Sequence, residues 1–379
     1  MRNALIASLA ALAVACSAGS PTQPPTAATQ PTATVRPTAT PAPIRPPEPT
    51  AVPSPESTPT PDATSPATVA PVYGWTERAD VGAGPSARED HTWTVDGAGT
   101  TAYLFGGRTA DGLSNELWAF DLATDSWMLL EPAGEGPAAR LGHTATWVPN
   151  VGLVVWSGQG SDFFADIWAF DPLMNAWHEL PSLGAVPEPR YGSCASLGPD
   201  GRLWISHGFT RDDGRFVDTR AYDFATGEWI DLTPTSGEVP VKRCLHDCYW
   251  SGTGQLVLYG GQTTGVAALG DIWAYDPTAG AWSPGPVPDA PPRQLYAIAG
   301  LDQVTQVVFG GGSLEGGHLD DAWVIDPLSL GLSRLDLVGS PPTARSGATL
   351  IHDSARQRML LFGGQNDGGL LGDLWELPG

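Results

Sequence analysis

The fold is decided by the stretch LFGGRTADGLSNELWAFDLATDSW at residues 104–127. It contains, in order, a β-rich run, a glycine pair, an acidic residue two positions before a tryptophan, and an aspartate six positions before a second tryptophan. Apolar runs rich in β-branched and aromatic residues favour strands, and glycine favours the turns between them. The stretch therefore predicts short strands joined by tight turns.

The same unit returns six times from Val72 onward. An arginine precedes each copy, and successive arginines are 50 to 53 residues apart: Arg88, Arg140, Arg190, Arg243, Arg293 and Arg345. The small-residue pairs are Gly106-Gly107, Ser157-Gly158, His207-Gly208, Gly260-Gly261, Gly310-Gly311 and Gly363-Gly364. The acid and the tryptophan that follows it are Glu116/Trp118, Asp166/Trp168, Asp271/Trp273, Asp321/Trp323 and Asp373/Trp375, and the third copy has Asp218/Arg220 instead.

A period near fifty residues with a glycine pair and a trailing tryptophan resembles the kelch repeat. The resemblance covers residues 73–379 and implies an all-β, six-bladed β-propeller with four strands per blade. The sixth copy ends soon after Trp375 and lacks a fourth strand, whereas Trp75 stands before the first arginine. We therefore predict that the N-terminal strand completes the last blade, which removes an open sheet edge.

The residues before the repeats predict export and a lipid anchor. Residues 1–15 have one positive charge followed by a short apolar run, which is typical of a signal peptide. The sequence Ala13-Val14-Ala15-Cys16 resembles a bacterial lipobox, although Ala13 replaces the usual leucine, and it makes Cys16 the candidate lipidation site. Cleavage without lipidation is the alternative. Residues 16–72 are dominated by Pro, Thr, Ala and Ser, a composition that predicts a disordered stalk.

Composition narrows the possible partners and the location. The formal net charge of −22 argues against nucleic acid, whose phosphates require a basic surface, and against electrostatic docking on anionic lipid. We expect a monomer that contacts the membrane only through its N-terminal lipid. It would lie at the cell surface or on the periplasmic side of the membrane.

The six repeat arginines have two interpretations. Each could form an ion pair with the acid of its own repeat. Alternatively, they could form a ring that binds carboxylates or phosphates at one mouth of the central channel. Some arginines at this position line the ligand pocket in eukaryotic kelch domains that bind acidic peptides, and the resemblance makes the six arginines candidate ligand-binding residues.

Three residues after four of these arginines stand His91, His143, His246 and Tyr296, which we include among the candidate ligand-binding residues. Packing within the repeat is one interpretation and a channel site is another. Neutral imidazoles suit copper or zinc, but the spacing of a metal motif is missing, so no metal or other cofactor is predicted. Copper-radical oxidases share the kelch architecture, yet their adjacent Tyr–His pair has no counterpart here.

The loops between the second and third strands of each repeat vary most. They contain Phe163, Phe164, Phe209 and Phe216, which we expect to be exposed, together with several aspartates. Aromatic and acidic loops are typical of contacts with a sugar or a peptide, and ordinary solvated turns are the alternative.

The cysteines predict one disulfide. An exported protein meets an oxidising environment, and lipidation of Cys16 leaves three thiols. Cys194 and Cys248 lie four and five residues after their repeat arginines, at similar heights on opposite strand faces. We predict that they pair and that Cys244 is left over.

The function predicted from these observations is that of an extracytoplasmic binding or scaffold module for a protein, peptide or glycan. No catalytic residues are identified. The alternative is a carbohydrate-active enzyme with its site at the channel mouth, either isomerase- or epimerase-like or a copper oxidase. The fold by itself does not decide between them.

Overall fold

The computed structural model describes residues 74–79, 82–212, 214–301, 305–313 and 315–378. The predicted signal peptide at residues 1–15, the candidate lipidation site Cys16 and the predicted stalk at residues 16–72 lie outside the described residues.

The described residues are built almost entirely from β-strands. The first half contains β1 (Thr76–Glu77), β2 (Arg88–Glu89), β3 (Thr92–Val95), β4 (Thr101–Phe105), β5 (Arg108–Thr109), β6 (Gly112–Leu113), β7 (Leu117–Asp121), β8 (Ser126–Leu130), β9 (Thr144–Val148), β10 (Gly152–Trp156), β11 (Ile167–Asp171), β12 (Ala176–Glu179), β13 (Leu183–Gly184), β14 (Cys194–Leu197), β15 (Leu203–Ser206) and β16 (Thr219–Asp223). The second half contains β17 (Glu228–Asp231), β18 (Asp247–Trp250), β19 (Leu256–Tyr259), β20 (Ile272–Asp276), β21 (Ala281–Pro284), β22 (Arg293–Gln294), β23 (Ala297–Gly300), β24 (Gln306–Ser313), β25 (His318–Ile325), β26 (Leu332–Arg334), β27 (Ser346–Asp353), β28 (Arg358–Asn366), β29 (Gly369–Leu370) and β30 (Leu374–Pro378). Within these ranges the helical structure is one 3₁₀ turn, Thr264–Val266.

Six antiparallel sheets follow the six repeats, and we number them in chain order. Their four-stranded paths are β3-β4-β7-β8, β9-β10-β11-β12, β14-β15-β16-β17, β18-β19-β20-β21, β23-β24-β25-β26 and β27-β28-β30-β1. Short strands extend some of them: β13 pairs with β17, β22 with β24, and β29 with β28, while β2, β5 and β6 form a small separate sheet. This all-β architecture of repeated four-stranded sheets agrees with the predicted fold class and is consistent with a β-propeller.

The core lies between neighbouring sheets. Strand β10 is buried along its whole length because both of its faces pack against other sheets, which explains its continuous apolar sequence. One core cluster joins the first sheet to the sixth, bringing Trp93 and Leu104 together with Leu360 and Phe362. The trailing aromatic positions of the repeats pack into these clusters: Trp127, Trp177, Trp229, Trp282 and Leu332.

The N-terminal strand lies beside the C-terminal strand. Strand β1 pairs antiparallel with β30, with Thr76 opposite Glu376 and Glu77 opposite Trp375. Trp75 is only 7% exposed and packs between the fifth and sixth sheets, where its ring centroid is 5.2 Å from that of Phe309. It occupies in the sixth sheet the position that the trailing tryptophans occupy in the first four and that Leu332 occupies in the fifth.

Five charged residues hold the first and last repeats together, and we call them the seam cluster. Arg358 forms ion pairs with Asp125, Asp353 and Glu376, and Arg78 forms ion pairs with Asp125 and Glu376. Arg358 and Asp353 are nearly or fully buried. Partial burial reduces screening by water, so the attraction among these charges is stronger than at an exposed site.

The glycine pairs occupy positions where neighbouring backbones meet. Gly363 has φ of +71°, and a Cβ there would lie 2.7 Å from the carbonyl oxygen of Arg88. The second and third repeats place Ser157 and His207 at the equivalent position, also with positive φ. The Ser157 hydroxyl donates to the carbonyl oxygen of Arg190 in the next repeat, which partly offsets the cost of that conformation.

A disulfide joins the third and fourth sheets. Cys194 on β14 and Cys248 on β18 are bonded, and their Cα atoms are 5.5 Å apart. Cys244 is buried outside this disulfide, with its sulfur 3.8 Å from the carbonyl oxygen of Gln262.

Candidate functional site

The six repeat arginines are buried and paired within their own repeats. The pairs are Arg88–Glu116, Arg140–Asp166, Arg190–Asp218, Arg243–Asp271, Arg293–Asp321 and Arg345–Asp373. Arg140 shows the shared geometry: it donates two 2.7 Å bonds to Asp166, and it also donates to the carbonyl oxygens of Ala138 and Ser157.

The tryptophan of the acid–x–Trp motif donates to the same carboxylate. The Trp168 indole lies 2.8 Å from Asp166, and in the third repeat the Arg220 Nε lies 2.9 Å from Asp218 instead. Arg220 therefore replaces the missing indole donor. The sequence motif is a hydrogen-bonded unit that connects the strands of one sheet.

The loop aromatics close over two of these arginines. The Arg140 guanidinium carbon is 4.2 Å from the ring centroid of Phe164, and that of Arg190 is 3.8 Å from the ring centroid of Phe216. The six arginines have side chains at most 1% exposed, so they are not accessible to a ligand. Their positions correspond to the ion-pair interpretation, and the interpretation as a ligand-binding ring stays a prediction.

His91, His143, His246 and Tyr296 lie at equivalent places around one cavity and are buried. His143 is 2.9 Å from the Thr92 hydroxyl of the preceding repeat, and His91 is 2.7 Å from Thr349 of the sixth. Burial and the nearby Arg140 lower the pKa of His143 to about 3, so this imidazole is neutral at physiological pH. These side chains form contacts between neighbouring repeats.

Six residues, each two positions after a repeat arginine, form a closed ring of backbone hydrogen bonds. Each N–H donates to the carbonyl of the preceding repeat at 2.6 to 3.1 Å. In order, the amides and their acceptors are Asp90 to Gly347, Gly142 to Asp90, Gly192 to Gly142, Leu245 to Gly192, Leu295 to Leu245 and Gly347 to Leu295. All six residues have positive φ, and we call them the axial ring.

The axial ring lines a cavity of about 300 Å³, together with the innermost strand of each sheet. Two acidic residues line this axial cavity, Asp90 from the first repeat and Asp247 from the fourth. Burial raises the pKa of each of them to about 7. Among the described residues, those that line the cavity include no lysine or arginine.

An aromatic cluster lies on the loop side of the axial ring. The rings of Phe163, Tyr191 and Phe209 are mutually 5.9 to 6.5 Å apart, and they pack with Leu245 and Leu295. We call these five residues the loop-face cluster. Phe209 is only 4% exposed, which corrects the expectation that it is exposed: its ring fills the space over Leu245.

Charged side chains surround the loop-face cluster. Arg211 lies 5.9 Å from the ring centroid of Phe163 and pairs with Asp162, and both charged side chains are well exposed. Arg215 lies 5.1 Å from the ring centroid of Phe209, at a geometry suited to a cation–π interaction. The loops of the second and third repeats thus present apolar rings, a guanidinium and a carboxylate on one face.

The described part of the chain contains no group of three or more His, Cys, Asp or Glu side chains placed to hold a metal ion. Nor does it include a helix with the length and apolar character needed to cross a membrane.

Asp90, Asp247 and the axial ring could not be recognised from the sequence pattern. Leucine rarely adopts positive φ, so Leu245 and Leu295 gave no sign of sharing a position with glycines. Tyr191 was also missed, because it directly follows a repeat arginine at a position with no common residue type. Aligning the six copies on their arginines does bring these residues into register.

The whole repeat region is similar to a known protein family. A protein-family model described as "KLHDC2/KLHL20/DRC7 Kelch-repeats domain" matches residues 72–261 and 252–378. Human Kelch domain-containing protein 3 is 29% identical over 231 residues, which cover 56% of this chain and 58% of that protein. The chain thus spans a little over half the length of the first relatives that it matches.

Shorter stretches resemble other proteins. Human Host cell factor 2 is 37% identical over 83 residues, covering 21% of this chain and 10% of that protein. Arabidopsis thaliana Acyl-CoA-binding domain-containing protein 5 is 28% identical over 150 residues, covering 39% of this chain and 23% of that protein. Since the family match extends over nearly all of the repeats and the sheets follow their period, the chain belongs to the KLHDC2/KLHL20/DRC7 Kelch-repeats domain family.

Proposed function

We propose that the six sheets are the blades of one closed, six-bladed β-propeller. The axial ring supports this proposal because its hydrogen bonds pass through all six repeats and return to Asp90. The core cluster between the first and sixth sheets and the pairing of β1 with β30 support it as well. A closed ring leaves the loops of each blade on a rigid scaffold.

We propose that this scaffold is a non-enzymatic binding module that recognises a protein or peptide segment through its loop face. The observation that carries the proposal is the loop-face cluster with Arg211 and Asp162 beside it. Aromatic residues and arginine are the side chains that most often dominate protein interfaces. The buried ion pairs of the six repeat arginines support a structural role for these arginines. The loops are therefore the better candidates for ligand recognition.

The module is further proposed to act outside the cell. Residues 1–15 would be removed on export, Cys16 would carry the lipid, and residues 16–72 would separate residues 73–379 from the membrane. This part of the proposal rests on the composition of those segments.

A site-specific photo-crosslinker tests the binding face. Benzoylphenylalanine would replace Phe163 in one sample and Leu173, a turn residue that is 95% exposed, in a control. We expect a discrete crosslinked protein or peptide from position 163 and none from position 173 in cells that produce the chain. In competition, the variant Arg211→Ala should reduce the crosslink without changing the melting temperature.

Two results would count against the proposal. Equal crosslinking at both positions would mean that the loop face has no preference for a partner. Saturable binding on a glycan array, lost on Phe163→Ala and accompanied by no protein crosslink, would assign the same face to a carbohydrate.

A further inference from the structure

The axial cavity is a second site that borders the loop-face cluster at Leu245 and Leu295, and its chemistry is different. Asp90 belongs to the axial ring, and Asp247 lies two residues after Leu245, the ring member of the fourth repeat. In a ring of six, the first and fourth repeats are three steps apart in either direction. Asp90 and Asp247 therefore line one cavity from opposite sides of the ring.

The described residues offer neither carboxyl group a cationic partner. Among the described residues, no ion pair involves Asp90 or Asp247, and one Asp90 oxygen is buried without a hydrogen-bond donor. Asp247 accepts one 3.2 Å bond from the adjacent backbone N–H of Cys248. Because a buried charge is costly unless it is paired, both groups would gain from a cation inside the cavity.

The rest of the described wall carries no lysine or arginine and combines apolar side chains, such as Leu295 and Ile298, with polar ones. The Thr92 and Thr144 hydroxyls border the cavity, and Ser193, which is only 6% exposed, has a buried hydroxyl without a partner. The volume of about 300 Å³ lies at the lower end of the range for small-molecule pockets. The described residues lack three ligating side chains in one group, which favours an organic cation over a metal ion.

A second cavity adjoins the axial cavity. It lies between the first-to-second-strand hairpins, and Asp96, His352 and Gln357 are among its lining residues. Trp93 and Thr94 line both cavities, so the two cavities meet at these side chains.

From this arrangement we propose that the axial cavity binds a small linear diamine, with Asp90 and Asp247 each accepting hydrogen bonds from one ammonium group. An ammonium group has three donors and needs acceptors for them, and the threonine and serine hydroxyls supply further acceptors. Two separated carboxylates match a ligand with a positive charge at each end better than a monoamine. The proposal does not depend on what the loop face binds.

Calorimetric titration of the full chain at pH 8 tests the proposal with three probes of similar length. These are 1,4-diaminobutane, 1-aminobutane and the uncharged 1,4-butanediol. We expect saturable one-to-one binding of the diamine, about tenfold or more weaker binding of the monoamine, and no binding of the diol. This comparison uses only the parent protein and stays decisive if a variant does not fold.

The variants Asp90→Asn and Asp247→Asn, titrated separately, should each weaken diamine binding by about tenfold or more. The matched control is Asp111→Asn, which removes the same charge from an exposed loop residue and should leave the affinity unchanged. Melting curves identify which variants are folded.

Three outcomes would overturn the proposal. The first is the absence of saturable heat with the diamine, which is expected if the cavity holds only water. The second is equal affinity for the diamine and the diol. The third is an unchanged diamine affinity in a folded Asp247→Asn protein.

Discussion

Each repeat arginine connects several parts of its sheet through one guanidinium. Arg293 donates to Asp321 through two bonds of 2.9 and 3.0 Å and to the carbonyl oxygens of Pro291 and Gly310. Burial raises the pKa of Asp321, but the hydrogen bonds and charge of Arg293 outweigh that effect, and the pKa lies below its usual value. The carboxylate therefore stays ionised at neutral pH.

Replacing Arg293 by methionine should destabilise the fold strongly. The change leaves a mostly buried carboxylate without its cationic partner, although the Trp323 indole still donates to it, and it removes a side-chain donor from two carbonyls. The loss of one partner from a buried pair costs about 3–5 kcal/mol. Urea unfolding measures the loss. The control Arg334→Met changes an exposed arginine and should cost about 0.5 kcal/mol or less. Equal effects of the two variants would show that the buried pair contributes little.

The pKa of Asp247 is shifted in the opposite direction to that of Asp321, so its effect on stability changes with pH in the opposite sense. Burial raises its pKa to about 7 from its ordinary value of 3.8, so the folded protein holds this proton more tightly than the unfolded chain. The resulting stabilisation is complete below pH 3.8 and is lost as pH rises through about 7. Burial holds the pKa of the adjacent His246 well below its usual value and that of Tyr296 well above, so neither masks this change.

The variant Asp247→Asn should therefore gain stability relative to the parent as pH rises from 4 to 8. Urea unfolding at several pH values gives the difference, with Asp111→Asn as the exposed control. A difference that stays constant across this range would mean that Asp247 titrates normally.

Individual residue contacts could be predicted from the sequence where the same pattern recurs in every repeat. The arginine and its acid recur in six copies, so their pairing could be proposed as one interpretation. Asp90 and Asp247 recur in none of the other copies at their positions, and the burial that changes their chemistry depends on the cavity that the six inner strands enclose. Contacts of that kind are set by distant repeats and leave no local signature.

Among the elements, β1 is the shortest that completes a four-stranded sheet. Its two residues are exposed, yet the adjacent Trp75 is buried between the fifth and sixth sheets. Strand β1 covers the edge of β30, which would otherwise present unpaired backbone groups.

Deleting residues 1–77 should lower the melting temperature sharply or cause aggregation, because it removes Trp75 and uncovers the edge of β30. Loss of a buried tryptophan side chain alone costs about 3–5 kcal/mol. The control is deletion of residues 1–73, which keeps β1 and should melt like the parent. If both truncations melt alike, β1 is dispensable.

The element boundaries were largely predictable because glycine pairs and Asp turns mark the ends of strands. The pairing of β1 with the last sheet was predictable because the sixth copy has only three strands of its own. One tryptophan, Trp75, precedes the first copy and supplies the missing position. The burial of Phe209 was not predictable, because loop residues of the third repeat fold back onto Tyr191 and Leu245. Nothing in the loop composition distinguishes that packing from exposure.

At the scale of the whole molecule, the proposed anchor predicts where the protein is found. Cys16→Ser should move it from the membrane fraction to the soluble exported fraction, because stable anchoring requires the acyl chains on that cysteine. Fractionation and immunoblotting measure the distribution, with Ser17→Ala as the control. Equal membrane retention of Cys16→Ser and the parent would rule out the lipid anchor.

The seam cluster has a mechanical consequence. Arg78 lies directly after β1 and bonds to Glu376, a residue 298 positions away in the chain. A pull applied through the N-terminus is therefore carried first by the pairing of β1 with β30 and then by the seam cluster. Arg358 adds further bonds there, to Asp125, Asp353 and Glu376. The contact between the first and last repeats needs both ends of the repeat region, so it forms last during synthesis. The same contact is the first to bear tension.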